Sequence, residues 1–159
     1  NINEKAVKDL KNDKYDALKI AKAKATYLSK KNKNKIIITF DTTILHMRKT
    51  IYKCHTKKCC KNTLKSFNNT SHNLYTGMVF MINNSLIRSS LTKTKIVFEK
   101  NKIIDVNKYV EKNFNQISSA VGCYNIEGKG KTFFKNIEKS YFNVIGIDII
   151  NFLKILRSI

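Results

Sequence analysis

The chain has 159 residues, 42% of them apolar and 10% aromatic, which suits one domain with a real core and excludes a wholly disordered tail. No uncharged run approaches the roughly 20 apolar residues that span a bilayer, and the charged opening residues cannot form a secretory signal, so the chain reads as soluble and cytoplasmic with no membrane partner. The net charge of +20 invites a nucleic-acid reading, but only Arg48, Arg88 and Arg157 carry the guanidinium fork that reads bases and grips phosphate in pairs. The lysines are scattered from end to end, and the 28 Lys, 19 Asn and 21 Ile are the residues that A- and T-rich codons specify. Codon drift therefore accounts for the basic balance, and composition argues against a specific nucleic-acid surface.

In chain order, Asp13 is expected to cap a helix reaching about Ser29, with Ala17, Ile20, Ala21, Lys24 and Leu28 on one face. The polar stretch 30–35 is a solvated turn. Ile36 to Phe40 is a short β-branched run, the pattern of a buried central strand, and it ends on Asp41-Thr42-Thr43. Residues 43–46 and 50–53 suggest a small hairpin around Met47-Arg48-Lys49. A second helix is expected over Thr56–Phe67, then a turn at Asn68-Asn69.

Residues 73–82 and 85–98 read as two long strands joined at Asn83-Asn84, a pair that tolerates the positive φ of a tight hairpin. Asp105 is expected to cap a helix to Phe114 that points Tyr109 and Val110 inward. Strands are expected at 131–138 and 141–145. Asp148 should cap a last helix to Arg157 that buries Ile149, Phe152, Leu153 and Leu156. These elements give an α/β class: a twisted mixed sheet with flanking helices, in a single domain over 1–159 with no linker. The first strand follows a helix with nothing before it, so the sheet is expected to lack its leading strand and helix.

The four cysteines, Cys54, Cys59, Cys60 and Cys123, are expected to be reduced thiols in the cytoplasm. Cys54-His55 and Cys59-Cys60 do not have the spacing of a zinc ribbon or finger, and small buried side chains are the default reading.

Several motifs then fall in one order. Ile20-Ala21-Lys22-Ala23-Lys24-Ala25 is similar to L-A-x-x-K-A, Phe40-Asp41-Thr42 to A-D-T, and Lys53-Cys54 to K-P. Asn69-Thr70-Ser71-His72 with Thr76-Gly77 is similar to S-G-x-x-H…T-G, and residues 94–98 to T-x-V-x-F. Gly122 to Gly128 resembles G-A-Y-G-I-Q-G, and Tyr141 through Gly146-Ile147 resembles Y-x-x-V-x-G-L-P. Taken together, the chain resembles the Maf-like nucleoside triphosphate pyrophosphatases over nearly its whole length.

The resemblance implies a cleft between two lobes and hydrolysis of a nucleoside triphosphate to a monophosphate and pyrophosphate, with Mg²⁺ or Mn²⁺ as cofactor. It implies Asp41 as proton acceptor and metal ligand, Glu4 as a second metal ligand, and Lys24 and Lys53 as phosphate-facing cations. Thr42 and Glu127 fall at positions linked to base choice: Thr42 resembles the thymidine/uridine branch, Glu127 the 7-methyl-GTP branch. His72 is expected to be structural.

The family's opening S-x-S-P-R-R loop has no counterpart here, and its D-K-A-G reads Ser119-Ala120-Val121-Gly122. Three readings follow: an active pyrophosphatase, a catalytically inactive remnant of one, or a basic nucleic-acid-binding module on the same scaffold. An exposed sheet edge would favour a homodimer.

Overall fold

A computed structural model describes residue 7, residues 13–139 and residues 141–158. Helix α1 (Asp16–Lys31) is followed by strands β1 (Ile37–His46) and β2 (Lys49–Ile51), then α2 (Lys57–Phe67). The long strands β3 (Ser71–Ile82) and β4 (Ser85–Phe98) lead to α3 (Ile103–Ile117), two 3-10 turns at Val121–Cys123 and Lys129–Phe133, and β5 (Phe134–Glu138). Two short helices close the chain, α4 (Tyr141–Ile145) and α5 (Ile149–Leu156). No helix among the described residues is long and apolar enough to cross a membrane.

The strands form one five-stranded sheet in the order β2-β1-β3-β4-β5. Both hairpin turns are two residues long with positive φ at each centre: Met47 and Arg48 between β1 and β2, Asn83 and Asn84 between β3 and β4. That backbone twist matches the twist of the strands it joins. β1 also runs opposite to β3, with Thr42 beside Thr76 and Ile37 packed against Val79 and Met81. The α/β class is as expected, but the described ladders are antiparallel where a mixed sheet was expected. The reason is local: β2 turns the chain back before α2 begins, so β3 enters against β1 instead of alongside it.

The residues cluster into two compact units. The first draws on Asn1–Thr43, Tyr75–Lys93 and Ser140–Ile159. Its core forms where Ala17, Ala21 and Ala25 of α1 meet β1 and β3. Small side chains let the helix lie close, and Gly77 completes the fit, because a Cβ there would sit 2.5 Å from the Leu18 Cα. The second draws on Ile44–Leu74 and Thr94–Lys139. Its core is aromatic: Phe67 at the end of α2, Phe98 and Tyr124 gather around His72, and Phe133 stacks on Phe98 and meets Tyr109 of α3. Outside that core, the Glu111 carboxylate of α3 bridges Lys57 and Lys61 of α2 at 2.6 Å each.

Four local expectations are corrected. Asp13 does not directly precede the first helical residue; its carboxylate accepts the Tyr15 N–H at 2.7 Å, and the carboxylate of Asp16, the first residue of α1, accepts the Asp13 N–H at 3.2 Å. Residues 131–138 begin as a 3-10 turn and become a strand only at Phe134. Residues 141–145 are a helix, not a strand. Gly146 at φ 108 ends it, with the Gly146 and Ile147 N–H groups returning to the Asn143 and Phe142 carbonyls.

The last correction concerns α5. Asp148 does cap it, accepting the Asn151 N–H at 3.2 Å. Its apolar face is only partly covered, however. Phe152 meets Phe40 and Phe80, while Leu153 and Leu156 stand exposed.

Candidate functional site

The β-branched run of β1 carries the chain to Asp41, which is almost fully buried. A carboxylate loses most of its hydration in such a place and is kept charged only by a close cation or donor. Lys24 of α1 supplies the cation, its ammonium bonded directly to Asp41 Oδ1. Two features aim that lysine. The alanine stripe of α1 presses the helix onto the sheet, and the Thr39 hydroxyl on β1 donates to the Ala21 carbonyl at 2.8 Å. Lys24 stands one turn from Ala21 and keeps about a quarter of its side chain in solvent.

A hydroxyl-rich patch lies on the other face of the sheet, because successive strand side chains alternate and Thr42 points away from the α1 side that holds Asp41. The Thr42 and Thr76 hydroxyls are 3.0 Å apart, and Thr76 donates to the Asn143 carbonyl at 3.1 Å. The Asn143 amide donates to the Thr92 carbonyl at 3.4 Å, and the Thr92 hydroxyl bonds to the Asp148 carboxylate. This chain of hydrogen bonds ties Thr42 on β1 to β3, β4, α4 and the cap of α5, all within the first unit.

The structure thus brings together two of the six residues singled out from sequence, Lys24 and Asp41; Thr42 follows Asp41 on β1 with its side chain on the other face of the sheet. Lys53 and Glu127 belong to the second unit. Lys53 is exposed beyond β2, and Glu127 is exposed in a turn where its N–H donates to Asn125 Oδ1 at 3.0 Å. Glu4 lies outside the described residues. Thr76 and Asn143 were not singled out, although Thr76-Gly77 stood in a quoted motif. Asn143 carried no signal, because its role depends on the backbone of α4.

His72 is buried in the second unit. Its Nε2 lies 3.0 Å from the Tyr124 hydroxyl and its ring packs 4.2 Å from that of Phe67. Burial, with a smaller contribution from the nearby His46, lowers its pKa from 6.5 to about 3. A ring so enclosed is a structural element, in keeping with the expectation. Burial also pushes the Tyr124 hydroxyl pKa upward, so it stays protonated.

The cysteines depart from the sequence reading. Cys54 and Cys59 are joined in a disulfide, while Cys60 and Cys123 are free and buried. Four residues lie between the bonded pair, and the start of α2 folds that short segment back on itself. Spacing also gave no hint that Cys123, more than sixty residues downstream, packs beside Cys54 and Cys60.

The family profile described as Maf-like protein matches residues 1–159. The chain belongs to the Maf-like protein family. Among its relatives, a Pyrococcus furiosus dTTP/UTP pyrophosphatase is 29% identical over 157 residues, covering 99% of this chain and 80% of the relative. A Clostridium botulinum (strain Okra) dTTP/UTP pyrophosphatase is 29% identical over 136 residues, covering 83% of this chain and 69% of its own. A third dTTP/UTP pyrophosphatase, from Carboxydothermus hydrogenoformans, is 28% identical over 142 residues, covering 89% and 75%. Within this Maf-like chain, the Lys24–Asp41 pair joins two of the motifs that carried the resemblance.

The resemblance implies a hard divalent ion, and the Asp41 carboxylate is a ligand of the type such an ion takes. Among the described residues the oxygen donor at this point is the Asp41 carboxylate, and Mg²⁺ typically uses one or two carboxylates while keeping water and phosphate oxygens.

Proposed function

We propose that this chain hydrolyses a nucleoside triphosphate between the α- and β-phosphates, releasing a nucleoside monophosphate and pyrophosphate, with dTTP and UTP as preferred substrates. The observation that carries the reading is the buried Asp41 carboxylate held against the Lys24 ammonium, in a chain matched along its length by the Maf-like family. Asp41 is the only buried carboxylate among the described residues that also sits in a motif tied to catalysis. In this reading it orients a water for attack and accepts its proton, the task of a general base.

Lys24 has two roles. It is the cation that pairs with the buried Asp41 carboxylate, and it offers positive charge to the phosphates as negative charge shifts to the leaving pyrophosphate. Lys53 is proposed as a second phosphate-facing cation. Asp41, with Glu4 as a second carboxylate, would hold Mg²⁺ or Mn²⁺, which supplies Lewis-acid neutralisation of the triphosphate. Thr42 is proposed to contact the base, its hydroxyl fixed in place by Thr76. The preference for dTTP and UTP draws on Thr42 and on the relatives' names, and Glu127 is the residue that argues the other way. The reaction is assigned to the cytoplasm, where nucleoside triphosphates are held.

The test is pyrophosphate release from dTTP, UTP, 7-methyl-GTP and ATP with Mg²⁺ or Mn²⁺. Turnover of dTTP and UTP at least tenfold above the others supports the reading. Preference for 7-methyl-GTP would transfer base choice from Thr42 to Glu127, and no release from a cooperatively folded chain would leave the inactive-remnant reading in its place.

A further inference from the structure

Cys54, Cys60 and Cys123 form the one cluster of three candidate metal-ligating side chains among the described residues. All three are buried, and their sulfurs lie within 4.8 Å of one another. They come from separate places in the second unit: the loop after β2, the first turn of α2, and the 3-10 turn at Val121–Cys123. The last turn is costly to build. Gly122 and Cys123 both have positive φ, and a non-glycine residue in that region costs about 1–2 kcal/mol. Around the sulfurs, the Cys60 thiol contacts the Cys54 carbonyl at 3.9 Å and Cys54 Sγ lies 3.4 Å from the Thr63 hydroxyl.

We propose that these three sulfurs are a redox-gated binding site for a soft divalent ion of the Zn²⁺ class, with Cys59 as the latch. In the structure Cys54 is committed to Cys59, whose side chain is exposed, so the latch is within reach of a solvent thiol. A dithiol reductant opens it: two electrons and two protons pass to the disulfide, Cys54 and Cys59 become thiols, and the reductant becomes a cyclic disulfide. The ion then binds Cys54, Cys60 and Cys123 as thiolates, releasing three protons, with water in the fourth position.

The geometry requires little movement. Zn–S bonds of about 2.3 Å place tetrahedral sulfurs about 3.8 Å apart, within about an ångström of the separations present. Sulfur ligands also separate this ion from the hard one proposed at Asp41, which prefers oxygen.

The test uses Co²⁺ as a coloured stand-in on the full chain, freed of reductant under anaerobic conditions. The reduced protein should bind one Co²⁺ per chain, with an ultraviolet thiolate-to-metal charge-transfer band and the visible bands of a tetrahedral site. The oxidised protein should show neither, and added Zn²⁺ should bleach the signal. Cys123→Ser should weaken binding by at least about 100-fold, since a ligand is lost. Cys59→Ser guards against a variant that fails to fold: it leaves the buried trio untouched, removes the latch, and should bind Co²⁺ without prior reduction. No band from reduced wild type, an unchanged band in folded Cys123→Ser, or a Cys59→Ser chain that binds no Co²⁺ would each overturn the proposal. Buried thiols that serve only as small apolar side chains would give the first of those results.

Discussion

Acidifying the protein from pH 7 to pH 5 should remove about 2 kcal/mol of stability through His72 alone. In the folded chain this ring stays neutral down to about pH 3, whereas in the unfolded chain it takes a proton at its ordinary value of 6.5. Between those two values the unfolded state binds the extra proton, so each unit of pH lost costs the native state up to about 1.4 kcal/mol. The stabilisation is complete above pH 6.5 and falls as the pH drops toward 3. Confining the measurement to pH 5–7 avoids Glu111, whose carboxyl is lowered to about 2 by hydrogen bonds from Lys57 and Lys61 and which loses its contribution only in stronger acid.

The assay is urea unfolding followed by tyrosine fluorescence, repeated across that window for wild type and His72→Phe. The variant should be less stable at pH 7, because the buried Tyr124 hydroxyl loses its partner at a cost of about 1–3 kcal/mol. Its stability should nevertheless change less with pH than that of wild type, by about 2 kcal/mol over the window. Parallel pH profiles for the two proteins would refute the assignment of this loss to His72.

Two substitutions probe the scaffold around Asp41. Gly77→Ala would drive a methyl group into the α1 backbone at Leu18 and should cost about 1–3 kcal/mol, read as a lower urea midpoint at an unchanged slope. A variant as stable as wild type would mean that α1 does not depend on that close approach. Asp148→Ala removes both the cap of α5 and the partner of the Thr92 hydroxyl. It should destabilise by about 0.5–2 kcal/mol and speed amide exchange in α5 before that of β3, and uniform exchange would contradict the local role.

The elements that could be read from sequence were those set by local chemistry. The helix expected over 56–67, the Asn83-Asn84 turn and Asp148 ahead of α5 carry their own geometry, and the structure follows them; the β-branched run at 36–40 does form a central strand from Ile37, but Ile36 is exposed and Ile37, Ile38 and Phe40 are only half-buried. Residues 141–145 misled because Tyr, Phe, Val and Ile favour strands, while the outcome was decided by Gly146, whose positive φ closes a helical turn. The burial expected for α5 failed for a related reason. Its apolar residues surround much of the helix, and packing covers only the side holding Phe152.

At the candidate site, the link between Lys24 and Asp41 rests on two motifs seventeen residues apart, and their pairing follows once α1 lies on β1. Thr76 and Asn143 join through tertiary contacts that no spacing rule anticipates. The same is true of Cys123, which reaches the other cysteines only because the chain returns after α3.

The account depends most on Asp41 acting as the base. The most direct measurement is metal-dependent pyrophosphate release from dTTP by wild type, Asp41→Asn and Lys24→Met, each confirmed folded by circular dichroism. The expected result is a loss of at least about 100-fold in kcat for Asp41→Asn, which keeps the shape and removes the charge, and a smaller loss with a raised KM for Lys24→Met. Asp41→Asn turning over dTTP at the wild-type rate would contradict the account.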